Sequence, residues 1–347
     1  MKKVGIVGIG FMGMIHYLAY QRMQSAEVVA INTRNQKRLA GDWRDIQGNF
    51  GPAGEMMDLS GIATYADFEE IIKDDSVEVI DLCLPPNLHP EFTIQALEAG
   101  KDVIVEKPIA LTSADADRML EAAEQCGQKL LVAHVLPFFP EFQFAYQAAK
   151  EGTYGKPVGG LFQRTIADPT WLKDFYDPKT VGGPLVDLHI HDAHFIRLLW
   201  GMPKSVRTIG RMKNEVVASF QTQFCFEEDW VVSASGGVIP QQGRPFAHGF
   251  ELYFEKTTLI FHQSVWNQLE GGNGIPLTLL TEDGKAVRPE LGDGDPVLSF
   301  VAELEEAMKA LEPASEPSLL AGEVARDALL LCEMQTESAV KGVEVSH

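Results

Sequence analysis

The sequence predicts two domains: an α/β domain on a parallel sheet over residues 1–132, then an α+β domain with a mostly antiparallel sheet over 133–347. Three observations carry this. The chain's 347 residues exceed what one hydrophobic core fills, since single cores stop growing near about 250–300 residues. Up to Val132, short apolar runs alternate with longer mixed segments, the rhythm of strands and covering helices. Past Pro137 apolar and polar residues alternate with period two, as in strands that bury one face.

Val4 to Val7 opens the first domain as a strand, followed by a helix from Met12 to Gln24 and a strand from Glu27 to Ile31. A short helix Gln36 to Leu39, a short strand Ile62-Ala63, a helix Asp67 to Lys73 and a strand Val77 to Cys83 continue the alternation. Glu91 to Ala99 is a helix closed by Gly100, and Asp102 to Val105 a strand. Thr112 or Ser113 caps a helix Ala114 to Cys126 that ends on Gly127. The second domain starts with a helix Phe138 to Lys150. Alternating strands are expected at Val158–Ile166, Val206–Met212, Val216–Phe226, Trp230–Val238 and Phe246–Phe261. Gly271–Pro276 and Leu291–Pro296 are expected loops. Closing helices Val297–Leu311 and Leu319–Ser338 are expected to pack back on the body.

Composition excludes several function classes. The 49 acidic and 29 basic side chains give a formal charge of -20 with no Lys/Arg run, which disfavours nucleic acid and anionic membrane surfaces. Cys83, Cys126, Cys225 and Cys332 stand singly, without a CxxC, against a disulfide framework and a sulfur-ligated zinc. A reducing, cytoplasmic setting is expected. Met1-Lys2-Lys3 before an apolar run mimics a secretory signal, but Gly5, Gly8, Gly10, Gly13 and His16 interrupt it, and no apolar stretch approaches the roughly 20 residues of a membrane span.

Gly8-Ile9-Gly10-Phe11-Met12-Gly13 lies between the first strand and the first helix. Such a loop suits a dinucleotide because N–H groups at the helix start face the pyrophosphate and glycine leaves room for its approach. At the end of the second strand, where a carboxylate would grip the ribose of NAD, the chain offers Asn32-Thr33-Arg34-Asn35. Nothing there repels a 2'-phosphate, and Arg34 can bind it as a charged fork. NADP is therefore expected ahead of NAD.

Far downstream stands Glu106-Lys107-Pro108, which by itself is a turn after a strand. Together with Leu84-Pro85-Pro86-Asn87-Leu88-His89 and the run from Gly182 to His191, it resembles the glucose-fructose oxidoreductase, inositol dehydrogenase and rhizopine catabolism (Gfo/Idh/MocA) family over nearly the whole chain. The resemblance implies an N-terminal Rossmann domain, an open and mostly antiparallel second sheet, and NAD(P)-dependent hydride transfer at a hydroxyl or carbonyl carbon of a sugar, inositol or related polyol. It makes Lys107, Asp187 and His191 the catalytic candidates. Pro86, Asn87, His89, Glu106 and Lys107 join Gly8, Gly10, Phe11, Met12, Gly13, Thr33 and Arg34 as cofactor candidates. Arg164, Trp171 and His134 are plausible substrate contacts.

Elementary geometry is compatible. If Pro184 opens an α-helix, Asp187 and His191 lie about 40° apart around its axis, while His189 points nearly opposite. A histidine with an ordinary pKa near 6.5 suits proton exchange with a hydroxyl, so His191 is the expected acid/base. Lys107 would hold the reacting oxygen, and Asp187 would orient the hydroxyl or His191. The roles of Lys107 and His191 are interchangeable at this stage. Two positions depart from the family pattern: His189, where a small residue is usual, and Thr33, where many relatives carry aspartate.

Three rival functions share parts of this pattern. His189-Ile190-His191-Asp192-Ala193-His194 suggests a metal hydrolase, but a helix would splay the first two histidines, and a metal site would leave Glu106-Lys107-Pro108 and the glycine loop without a purpose. A non-catalytic nucleotide-binding regulator would keep the fold without Lys107, Asp187 and His191. A glycosidase that uses NAD transiently would keep all of it. No metal is expected. The apolar sheet face of the second domain predicts a homodimer or homotetramer.

Overall fold

The computed structural model describes all 347 residues except Asn49, Trp171, residues 268–273, Asp293 and Ala314. In chain order the first elements are β1 (Lys2–Val7), α1 (Phe11–Tyr20), β2 (Ala26–Asn32), α2 (Gln36–Leu39), β3 (Ala63–Tyr65), α3 (Phe68–Ile72), β4 (Val79–Leu82), α4 (His89–Glu98), β5 (Asp102–Glu106), α5 (Ser113–Cys126) and β6 (Leu130–Ala133). There follow α6 (Pro140–Glu151), β7 (Pro157–Ala167), α7 (Ile190–Trp200), β8 (Ser205–Lys213), β9 (Val216–Cys225), β10 (Val231–Ile239), β11 (Phe246–Phe254), β12 (Thr257–Val265), β13 (Gly274–Thr281) and β14 (Ala286–Val287). The chain closes with α8 (Pro296–Ala310), α9 (Gly322–Lys341) and β15 (Val345–Ser346).

The first six strands form one parallel sheet in the order β3-β2-β1-β4-β5-β6, the order of a dinucleotide-binding fold. β4 and β6 are buried at every position, which is how strands read when helices cover both sheet faces. Short polar side chains cap α2 and α3. The Asn35 side chain accepts from the N–H groups of Lys37 and Arg38, and Asp67 from that of Glu69.

The remaining strands build a nine-stranded sheet in the order β14-β13-β12-β11-β7-β10-β9-β8-β15. Among the described residues only β10 and β7 pair in parallel in this sheet, so it is mostly antiparallel and open. In β9 the second half alternates buried and exposed, with Phe220, Thr222 and Phe224 inward. Phe142 of α6 and Phe195 of α7 meet edge to face at 5.2 Å within the core on that inner side.

Several expectations change. The stretch Phe246–Phe261 is two strands with a turn at Glu255-Lys256. Gly274 to Pro276 belong to β13 rather than to a loop, while the remainder of the segment expected as that loop lies outside the described residues. The chain also does not divide at one cut near residue 132. Residues 1–110, 114–138 and 293–326 form one compact unit, and residues 111–113, 139–292 and 327–347 the other. The cause is α8, whose Val297, Phe300, Leu304, Ala307 and Met308 share a core with Met14, Ile15 and Tyr17 of α1. About 25 cal/mol per Å² of buried apolar area favours that return over leaving the face in water.

Candidate active site

Every loop expected at the nucleotide follows a strand of the parallel sheet, and parallel strands place these loops on one edge. The glycine loop follows β1, Pro86–Leu88 form a 3₁₀ turn after β4, and Lys107 follows β5. These strands are neighbours in the order β1-β4-β5.

The three loop glycines differ in kind. Gly8 has φ +93°, and a Cβ there would stand 2.4 Å from the Cys83 carbonyl oxygen. A Cβ on Gly13 would stand 2.1 Å from the Gly8 oxygen. Both glycines are required by the fold itself. On Gly10, the N-cap of α1, an added Cβ would meet nothing within 4 Å. This open rim at a helix N-terminus fits a pyrophosphate, so the residues present suit a nicotinamide dinucleotide.

At the end of β2, Asn32 is buried and its side chain donates to the Tyr65 carbonyl, while Arg34 is exposed. Thr33 Oγ1 accepts the Asn35 N–H at 3.3 Å. Sequence reasoning missed Arg38, whose Nη1 donates to the Ile9 carbonyl at 2.6 Å and whose Nη2 reaches Asp45 at 3.0 Å. It ties α2 to the glycine loop. No local signal could have paired residues 29 positions apart.

Pro86 is half-buried and Asn87 exposed. His89, expected at the cofactor, is fully buried, with Nδ1 2.8 Å from the Pro108 carbonyl and Nε2 2.8 Å from that of Leu84. Burial pushes its imidazole toward the neutral form, and the two carbonyls oppose this in part. Its ring is a strut that joins two loops. Glu106 is buried and Lys107 half-buried, and the Lys107-Pro108 peptide is cis. His134, expected to touch substrate, has no exposed surface, so its side chain is enclosed by protein. Trp171 lies outside the described residues.

In the other unit, Gly182 and Gly183 take φ of +84° and +75°, and side chains there would strike Val186 and Val216. They launch a π-helical turn, Leu185–His189, which runs into α7 at Ile190. The expected α-helical geometry is thus corrected: Asp187 sits in a wider turn than His191, as often occurs near functional sites. The sidedness survives, because Asp187 and His191 are part-exposed while His189 is buried. His189 packs on Phe220 at 4.6 Å, and its Nδ1 lies 3.5 Å from Asp192 Oδ2. Arg164, the other expected substrate contact, is buried on β7 with its guanidinium bound to Asp192.

Fold and loops together define a dinucleotide-binding protein with a second, sheet-based unit. Residues 2–134 match the family described as oxidoreductase family, NAD-binding Rossmann fold, and residues 142–260 match the GFO/IDH/MocA C-terminal domain. The chain belongs to the Gfo/Idh/MocA oxidoreductase family, and its parallel-sheet unit is an NAD-binding Rossmann fold. It is 30% identical over 200 residues to a myo-inositol 2-dehydrogenase of Thermotoga maritima, covering 57% of this chain and 55% of that one. It is 25% identical over 265 residues to a scyllo-inositol 2-dehydrogenase (NADP(+)) of Bacillus subtilis, covering 73% and 68%. The first of these matches spans only about half the relative's length. A levoglucosan dehydrogenase in complex with NADH and levoglucosan has the same fold, with a TM-score of 0.79 at 23% identity over 99% of each chain.

Proposed function

We propose that this protein is an NAD(P)-dependent oxidoreductase acting on a CH–OH group of a sugar, inositol or related polyol. The observation that carries this is the shared edge of the parallel sheet. The open Gly10 rim, the Pro86–Asn87 turn and Lys107 follow the adjacent strands β1, β4 and β5. Ligands of open α/β sheets bind beyond the carboxyl ends of such strands. Relatives named as inositol dehydrogenases support the same reading.

A bound nicotinamide would supply the site with hydride acceptance or return at the carbinol carbon. Gly8, Gly10, Phe11, Met12 and Gly13 hold the pyrophosphate end through the helix start, and Pro86 and Asn87 border it. Lys107 holds the substrate oxygen and stabilises charge that develops there. In the second unit, His191 takes the hydroxyl proton on oxidation and returns it on reduction, and Asp187 orients the hydroxyl or His191. Arg34 with Thr33 receives a 2'-phosphate, which makes NADP the preferred nucleotide over NAD.

Exposed Leu161, Ile209 and Val231 on the nine-stranded sheet support a homodimer or homotetramer, testable by light scattering. Among the described residues no helix is long and apolar enough to cross a membrane. With unpaired thiols at all four cysteines, a reducing cytoplasmic setting suits the chain. A screen of sugars and polyols, followed by nicotinamide absorbance with NADP and then NAD, tests the reaction. The expected result is turnover on at least one polyol that Lys107→Ala reduces by about 100-fold or more. Full activity in that variant would refute the role of the lysine, and no turnover on any polyol would refute the substrate class.

A further inference from the structure

The parallel-sheet unit encloses a charged cluster that the proposed reaction does not touch. His16 of α1 has no exposed surface. Its Nδ1 lies 2.8 Å from Asp81 Oδ2 on β4, and its Nε2 lies 3.2 Å from Glu106 Oε1 at the end of β5. The second contact is an ion-pair distance rather than an aligned hydrogen bond. Glu106 Oε2 accepts the backbone N–H of Lys107 at 3.0 Å. Glu106 therefore links α1, the helix that starts at the glycine loop, to the residue bearing the candidate catalytic amine.

Cys83 and Tyr20 flank the imidazole and Asp81. Cys83 Sγ lies 3.5 Å from His16 Nδ1, and the Tyr20 phenol is buried beside Asp81. From α8 comes Glu303, buried, with neither carboxyl oxygen hydrogen-bonded among the described residues. Asp81 and Glu106 contact one imidazole, and Glu303 is buried in the same unit, where three ionised carboxylates out of water would be prohibitively costly. Two protons resolve this. Burial alone would lower the His16 pKa, but Asp81 at Nδ1 raises it well above the ordinary value. Burial raises the Glu303 pKa well above the carboxylate range, and Glu106 and Asp81 add to this against the pull of His16.

A metal is the competing explanation, because His16, Asp81 and Cys83 offer donor atoms within 4.8 Å of one another. The 2.8 Å Nδ1–Oδ2 separation is a hydrogen bond, shorter than the roughly 3.3 Å between tetrahedral ligands of zinc at about 2.0 Å. Burial also pushes the Cys83 thiol further from the thiolate that would bind metal.

We propose that His16 is a positioning residue, holding Glu106 and through it the backbone of Lys107, while Glu303 carries the proton that lets the cluster stay buried. This rests on the reading of Lys107 as the group that holds the reacting oxygen. The Glu303 proton is testable without activity.

Glu303→Gln mimics a neutral acid. A Glu303 protonated in the fold ionises in the unfolded chain above about pH 4.3, so wild-type stability falls as pH rises, and the variant lacks that loss. The gap in thermal midpoint is expected to move in the variant's favour by about 2–4 °C or more between pH 4 and pH 8. A gap that stays constant or moves the other way overturns the protonated assignment. For His16, His16→Asn retains reach toward Asp81 and loses Glu106. It is expected to lower kcat about 10-fold or more, with nucleotide Kd within about threefold of wild type. An unchanged kcat, or an equal loss of nucleotide affinity, overturns the positioning role. If wild type turns over no polyol, the proposed function fails while the Glu303 measurement still decides the cluster.

Discussion

Arg164 Nε and Nη2 each donate to the Asp192 carboxylate at 2.8 Å, and both side chains are buried. This bidentate pair fastens β7 to α7 one residue beyond His191. Burial alone would raise the Asp192 carboxyl, but the guanidinium holds it far below the usual range, with His189 adding to the effect. Nη1 of the same arginine lies 3.4 Å from His248 Nδ1, and His248 Nε2 lies 3.0 Å from Gln263 Oε1.

Removing one partner leaves a buried charge without compensation. Arg164→Met or Asp192→Leu alone is expected to cost about 3–5 kcal/mol, whereas the double variant costs clearly less than the sum. Chemical denaturation of the three variants checks this. Equal, additive losses would mean that the pair is not coupled.

His248 gives the unit an acid weakness. Burial, reinforced by the nearby Arg164 charge, lowers its pKa to about 3, so the ring is neutral in the fold. Unfolded, it takes a proton below about pH 6.5, and the unfolded state then binds more protons than the native one. Its contribution is present above that value and is lost as pH falls from there toward 3. Thermal melts of His248→Gln from pH 7 to 4 should show a shallower acid decline than wild type.

Arg34 decides nucleotide choice if it meets a 2'-phosphate. Arg34→Ala is expected to weaken NADPH binding by about 10–100-fold, the worth of a charged hydrogen bond, with NADH changed by less than about threefold. Thr33→Asp should push preference further toward NADH. Fluorescence titration of each variant with both nucleotides gives the answer. A wild type that prefers NADH sinks the assignment at once.

The elements that local pattern dictates were legible. Val4–Val7 and Val77–Cys83 read as strands because their apolar runs sit between glycine or polar breaks, and the glycine loop fixed the turn between β1 and α1. β6 was missed because four apolar residues, Leu130–Ala133, carry no period. The π turn at Leu185–His189 escaped because one extra residue in a turn leaves the apolar spacing almost unchanged. What sequence hid most completely was pairing at long range. Arg164 read as a strand arginine that touches substrate, is solvated or is salt-bridged, and only the fold names Asp192 as its partner. His16 read as an interruption in an apolar helix, and only the sheet order brings Asp81 and Glu106 to its two nitrogens. Burial was hidden as well: loop position at a carboxyl edge does not reveal that His89 is enclosed, nor does a resemblance reveal it for His134.

The glycine loop separates what the fold needs from what a ligand needs. Gly13→Ala places a Cβ 2.1 Å from a backbone oxygen that cannot yield cheaply, so α1 must shift and both thermal midpoint and nucleotide affinity fall together. Gly10 has φ -104°, a conformation alanine adopts readily, and its Cβ would enter open space. Gly10→Ala should therefore melt within about 1–2 °C of wild type, as surface substitutions do. If a pyrophosphate lies over this rim, the added methyl occupies its path and nucleotide affinity drops about 10-fold or more. Loss of affinity without loss of stability is the signature of a ligand position, because a purely structural turn would move both or neither. Paired melting curves and NADPH titrations of the two alanine variants separate these outcomes, and a Gly10→Ala protein that binds nucleotide normally would remove the pyrophosphate from the rim.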